Sequence, residues 1–131
     1  VIVVDASAVL DGLLNAGEHE QIARCLVGVT GQLAAPDLLD VEILSVLRRW
    51  ERRREISTAR ARQALDDLEV LPLIRYPTLA LVDRAWKLRH NLSAYDAQYV
   101  ALAQALPSAL LTTDDGMATA PAHARVPLHQ L

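Results

Sequence analysis

Four carboxylates stand where a chain of alternating strand and helix patterns can gather them. Asp5 directly follows an apolar run, Glu42 and Asp96 lie inside amphipathic helical patterns, and Asp114 directly follows another apolar run. Like charges a few ångströms apart in a partly dehydrated pocket raise one another's pKa and repel, so folding alone favours dispersing them. A hard cation reverses the sign of that energy. Mg²⁺ prefers oxygen ligands, keeps several of its waters and is usually held by a few carboxylates together with substrate phosphate, the kind of arrangement these four side chains offer. Singly each acid has a plainer role: Asp5 as a strand-end cap, Asp114 as a helix N-cap, Glu42 as a surface acid, and Asp96 as a first-turn carboxylate after Ser93, favoured by the helix dipole. Their joint occurrence in this order favours a metal site.

The elements that must position them follow from the pattern of apolar residues. Val1 to Val4 is a continuous β-branched run, as in a strand buried on both faces. Ser7 is expected to cap a helix through Val9, Leu10, Leu13 and Leu14 that Asn15 and Gly17 end. A second helix is expected from about Glu18 to Val27, a turn at Gly28 to Gly31 and a strand from Gln32 to Ala35. Pro36 opens the strongest helix, running to about Glu55 with Leu38, Val41, Leu44, Val46 and Leu47 at helical spacing. Further helices start at Thr58, at Pro77 and at Ser93. Strands are expected over Val70 to Ile74, Ala109 to Thr112 and Val126 to His129, with a short turn or helix from Asp114 to about Ala118. This alternation implies an α/β fold, three layers with a mostly parallel central sheet between helices, in one domain spanning 1–131. In such sheets ligands bind beyond the carboxyl ends of the strands, where Asp5 and Asp114 lie.

Composition narrows the classes. The 131 residues are 52% hydrophobic but only 4% aromatic, without Phe, so the core must be Leu, Val, Ile and Ala. The lone Cys25 excludes an internal disulfide and, beside Ile22, Leu26 and Val27, reads as a small core residue. No apolar stretch approaches the roughly 20 residues of a membrane span, and no basic segment leads into an apolar one, so a cytoplasmic protein is expected. The chain opens in a strand pattern without Met, from which one or two preceding residues are expected. A net charge of −3 argues against a uniformly basic nucleic-acid binder, yet leaving out the four site carboxylates brings the remainder to +1. A polyanion would then be drawn by a local patch together with bound metal. All the basic residues but Lys87 are arginines, which suits bidentate phosphate contacts but equally reflects a GC-rich genome. Glu42 shares a helix row with Val46, Arg49 and Arg53, whereas Arg48, Arg52 and Arg54 read as a solvated helix end. Arg49 and Arg53, and the group Lys87, Arg89 and His90, are candidate RNA-phosphate contacts. His19, His90, His123 and His129 have no ligand or dyad spacing.

Four segments carry a family resemblance: Val-Val-Asp5-Ala-Ser7-Ala-Val, Leu-Leu-Asp-Val-Glu42-Ile-Leu, Leu-Ser-Ala-Tyr-Asp96-Ala-Gln-Tyr-Val-Ala-Leu-Ala, and Leu-Leu-Thr112-Thr-Asp114. Each is weak alone, but in this order and spacing they resemble PIN-domain ribonucleases, and more narrowly the VapC toxins of bacterial toxin-antitoxin modules. The resemblance covers essentially the whole chain. It implies a metal-dependent endoribonuclease toxin using Mg²⁺, with Mn²⁺ as a substitute, whose site falls on Asp5, Glu42, Asp96 and Asp114, with Ser7 and Thr112 as polar supports. Asp5, Asp96 and Asp114 would hold the metal, and Glu42 a water upon it or a second ion. Asp115 stands open as a fifth acid, a substitute for Asp114 or a surface residue. The implied partners are an RNA substrate (tRNA, ribosomal RNA or mRNA), a VapB-type antitoxin whose C-terminal segment lies across the helices near the acidic pocket, and a second copy in a homodimer. Trp50 would wall an antitoxin groove or, more simply, pack in the core. A non-catalytic PIN-like module holding a basic peptide in the pocket is the competing reading. It would tolerate Asn or Gln at some of the four acids. A phosphoacceptor receiver domain needs a Lys near the end of a late strand, and Lys87 lies in a helical pattern instead.

Overall fold

The computed structural model describes residues 1–27, 32–119 and 125–131. Four short strands, β1 (Ile2–Val4), β2 (Leu33–Pro36), β3 (Leu73–Tyr76) and β4 (Ala109–Leu111), form a sheet of order β3-β2-β1-β4 in which every pairing is parallel. The central β1 reads Ile-Val-Val and is fully buried, as a strand covered on both faces must be. Between β1 and β2 lie α1 (Ala6–Leu14) and α2 (Glu20–Leu26), and between β2 and β3 lie α3 (Leu38–Arg52) and α4 (Thr58–Val70). The chain returns through a 3₁₀ turn (Thr78–Leu81), α5 (Val82–Lys87) and α6 (Ala94–Ala105) to β4, after which α7 (Asp115–Thr119) follows.

The layering follows from crossover handedness. The steps β1 to β2 and β2 to β3 move the same way along the sheet, so right-handed crossovers put α1 to α4 on one face. The step from β3 back past β1 to β4 reverses direction and puts α5 and α6 on the other. Packing agrees: α1 touches α2, α3 and α4, whereas α6 lies along β1, β2 and β4 and against α5. The core is aliphatic, with Val3, Val4, Val9, Leu33, Leu39, Ile43, Val100 and Leu110 buried and Cys25 among them. Trp50 packs at its margin. Among the described residues no helix is long and apolar enough to cross a membrane.

Several expected boundaries move, each for a local reason. The cap of α1 is Asp5, whose side chain accepts the Ala8 N–H, while the Ser7 hydroxyl is spent elsewhere. Pro36 closes β2 instead of opening α3, and the ladder to β3 continues from the Asp37 N–H to the Tyr76 carbonyl. The run Val70 to Ile74 is split by Pro72. Helix α4 carries on through Val70, Leu71 turns extended as a residue preceding proline must, and β3 begins at Leu73. Helix α3 stops at Arg52, with Arg54 at a left-handed φ of 58°. At the C-terminus Val126 to His129 makes no strand, only a parallel bridge of Leu128 to Leu110, since Pro127 has no N–H to donate. The turn expected at Gly28 to Gly31 lies outside the described residues.

Gly12 marks where α1 and α2 meet. A Cβ there would drive into the Leu26 side chain and crowd Ile22, both buried. Gly12→Val should therefore destabilise the protein by about 1–3 kcal/mol through overpacking, read as a lowered midpoint in urea unfolding. An unchanged midpoint would mean the two helices slide apart without cost.

Candidate active site

The strand order reverses between β1 and β4, and both strands leave the sheet at the same end. Their register pairs Val4 with Leu111, so the next residues, Asp5 and Thr112, emerge side by side, and the Asp5 N–H still reaches the Leu111 carbonyl at 3.2 Å. Asp5 is the one buried carboxylate among the described residues, 4% exposed. Three donors hold it. Its Oδ1 accepts the Ser7 hydroxyl at 2.7 Å and the Ala8 N–H at 3.0 Å, and its Oδ2 accepts the Thr112 hydroxyl. Ser7 and Thr112 are themselves fixed: the Thr113 N–H donates to Ser7 Oγ and the Asp114 N–H to Thr112 Oγ1, each at 3.1 Å.

The other three acids arrive from three different elements. Glu42 projects from the second turn of α3, and its Oε1 accepts the Tyr99 hydroxyl at 2.6 Å. Asp96 sits in the first turn of α6, where the cap Ser93 accepts its backbone N–H. Asp114 precedes α7 and caps it, its Oδ2 accepting the Met117 N–H at 2.8 Å. Asp5, Glu42, Asp96 and Asp114 line one pocket of about 220 Å³ with Ala6, Ser7, Tyr99 and Met117. Asp115 begins α7, exposed and outside that lining. Among the described residues no Lys, Arg or His lines the pocket.

The electrostatics are those of carboxylates without a counterion. Burial pushes the Asp5 carboxyl up, only partly offset by the Thr112, Ala8 and Ser7 donors, and Asp114 pushes it further. Glu42 is raised first by burial and then by Asp96 and Asp5, against the Tyr99 hydrogen bond. Asp96 is raised by burial and by Asp114. The Tyr99 phenol, buried and bonded to Glu42, is pushed well above its ordinary range and stays a donor. An all-oxygen, uniformly acidic donor set of this kind fits a hard divalent cation. Among the described residues no three His, Cys, Asp or Glu side chains stand close enough to enclose an ion by themselves. An ion here would complete its sphere with water and substrate oxygen.

Tyr99 is the site residue that sequence reasoning missed. The signal was present: a phenol three residues after Asp96, on the same helix face, in a segment otherwise of alanines and aliphatics. Of the basic candidates, Arg49 lies beside Glu42 in a neighbouring groove, Arg53 caps the end of α3, and Lys87 and Arg89 are exposed near α5, with the Arg89 guanidinium 4.4 Å above the Trp86 ring. The histidines are elsewhere: His19 faces Asp11 at 3.8 Å, His129 faces Cys25 at 4.0 Å, His90 is exposed, and His123 lies outside the described residues.

Comparison with known proteins matches a family model, the PIN domain, over residues 2–122. The chain is 47% identical to the ribonuclease VapC9 of Mycobacterium tuberculosis over 114 residues, covering 87% of this chain and 86% of that protein. It is also 47% identical to ribonuclease VapC1 of the same organism over 120 residues, covering 91% and 90% respectively. In fold it is similar to the solved structure of VapBC2 from Rickettsia felis bound to a DNA fragment from their promoter, with a TM-score of 0.71 and 11% identity, over 98% of this chain and 96% of that one.

A carboxyl whose pKa is raised by folding contributes stability below its unfolded value and loses it as pH rises through the folded one. In metal-free protein Asp96→Asn should consequently raise the melting temperature at neutral pH. The gain should shrink as pH falls through the carboxylate range, because wild-type Asp96 is then protonated as well. Mg²⁺ or Mn²⁺ should raise the wild-type melting temperature and do so less in the variant. Equal cation effects in both proteins would remove Asp96 from the metal-binding set.

Proposed function

The chain belongs to the PIN-domain family, among its VapC ribonucleases, and we propose that its acidic pocket is the active site of an endoribonuclease toxin that hydrolyses RNA phosphodiesters with Mg²⁺, Mn²⁺ serving as a substitute. The observation that carries this reading is the set of four carboxylates from four separate chain segments in one pocket that, among the described residues, no Lys, Arg or His lines. Capping accounts for Asp5 and Asp114 singly, but the convergence of all four charges costs the fold stability and suits metal-assisted phosphodiester hydrolysis. Asp5, Asp96 and Asp114 are the residues to hold the metal, which when bound neutralises the pocket and the charge that develops on the phosphate in the transition state.

The remaining work belongs to the chain. Ser7, Thr112 and the Ala8 N–H hold Asp5 in one orientation, so no reorganisation is needed when substrate arrives. Tyr99 occupies Oε1 of Glu42 and leaves Oε2 free of that bond. Burial, Asp96 and Asp5 raise the Glu42 carboxyl and with it its basicity, which favours Glu42 as the group that takes a proton from the attacking water. Before substrate and cation enter, the pocket repels phosphate. Cleavage therefore requires the cation as well as the substrate.

Membership of the VapC ribonucleases further supports a small antitoxin that holds the activity in check, and a homodimer as the working unit. A basic peptide seated in the pocket without turnover is the alternative.

Purified protein freed of any partner should cut total cellular RNA at discrete positions in Mg²⁺ or Mn²⁺ and not in EDTA. Asp5→Asn should abolish cleavage while keeping the fold, because Asn caps a helix as well as Asp, and Asp96→Asn should do likewise. Metal-dependent cleavage by either variant at the wild-type rate would end this assignment. Removing the phenol by Tyr99→Phe takes away the hydrogen bond that lowers the Glu42 pKa. The ascending limb of the pH–rate profile should then move to higher pH with the protein still folded. A limb that stays in place would show that Glu42 is not the proton acceptor.

A further inference from the structure

Beyond the acidic pocket, α3 carries a second concavity that shares a wall with it. This groove of about 340 Å³ is lined by Leu38, Val41, Glu42, Ser45, Val46, Arg49 and Tyr95, so Glu42 borders both spaces. Its floor is aliphatic, and at its rim Tyr95 is 59% and Val41 64% exposed. Among the described residues the Tyr95 hydroxyl has no hydrogen-bond partner and the Arg49 guanidinium no ion-pair partner. Tyr95 immediately precedes Asp96 on α6, and Arg49 stands two helical turns beyond Glu42 on α3. An exposed aromatic, an apolar floor and a free guanidinium thus share one groove that borders the acidic pocket at Glu42.

We propose that this groove is a nucleotide subsite, in which the base of a nucleotide flanking the scissile phosphate stacks on Tyr95 over the Leu38 and Val46 floor while Arg49 binds its phosphate. The inference rests on the reading of the pocket as a ribonuclease site. Charge selects the occupant. Towards and just past its C-terminal end α3 exposes Arg48, Arg49, Arg52 and Arg53, none of them ion-paired among the described residues, and these outnumber the exposed Glu51 and Glu55 in the same stretch. A polyanion fits that track, and a basic peptide is repelled by it. An aromatic face accepts any unpaired base, which suits single-stranded RNA held next to a cutting site without a base-edge reading surface. Tyr95 and Arg49 are in these terms positioning residues that set which phosphate reaches the acids.

The test uses two fluorescein-labelled probes of equal length, oligouridine and an abasic ribose-phosphate polymer, titrated by anisotropy in Mg²⁺ with Asp5→Asn in every protein so that nothing is cut. Tyr95→Ala should weaken oligouridine binding by about 5- to 100-fold and leave the abasic polymer unaffected, whereas Tyr95→Phe should restore wild-type affinity. Arg49→Gln should weaken both probes and reduce the slope of log affinity against log salt by about 0.7. With Asp5 intact, Tyr95→Ala should raise KM for a single-stranded substrate more than it lowers kcat. The subsite is overturned if folded Tyr95→Ala binds oligouridine as wild type does, if both probes weaken equally, or if the variant loses only antitoxin binding. Wild-type protein that binds oligouridine through Tyr95 but cuts no RNA would instead overturn the nuclease assignment and leave the groove standing.

Discussion

Parallel pairing of β1 with β4 is the constraint on which the rest depends. Because Val4 is in register with Leu111, the two chains leave the sheet together, and Asp5 and Thr112 meet without any loop having to bring them there. The same step starts α1 at Asp5 and α7 at Asp114, so both strand-end acids cap helices while facing the pocket. Capping accounts for one oxygen of each. Structure and site thus use the same residues, and the site is as rigid as the sheet edge that carries it.

Against this, the pocket stores repulsion. Asp5, Glu42 and Asp96 are each raised by burial and by one another or Asp114, and the compensation within the chain comes from neutral donors: Ser7, Thr112, Ser93 and Tyr99. Neutral hydrogen bonds orient carboxylates without cancelling their charge, so the pocket keeps its affinity for a divalent ion. A guanidinium in place of one of these donors would cancel part of that charge. Arg75 and Asp40 show the contrast within the same protein, a carboxylate gripped at 2.7 and 3.0 Å by a guanidinium, with that charge already answered.

Helix α3 links the two charge regimes. Glu42 and Arg49 share a row two turns apart, with Val46 between them, so one face of one helix passes from acid to base across an apolar step. Packing of α6 on the sheet sets Tyr95 against that face. Neither helix alone defines the groove.

Much of this was legible along the chain because it depends on short-range rules. The central strand declares itself as a β-branched run, Ser93 as a cap, and the four acids by standing at strand ends or among apolar helix residues. Boundaries slipped where a proline admits two readings, as at Pro36, or where an apolar run belongs to two elements, as at Val70 to Ile74. Sequence alone thus determined the α/β class, the order of elements as far as β4 and the four carboxylates. Tertiary structure alone decided that Tyr99 bonds Glu42 across 57 positions, that Thr112 bonds Asp5 across 107, that Asp114 and not Asp115 lines the pocket, and that Tyr95 shares a groove with Arg49. The reason is physical: periodicity and capping act within a few residues, whereas which side chains converge depends on strand order, register and crossover hand, set by how the whole core packs.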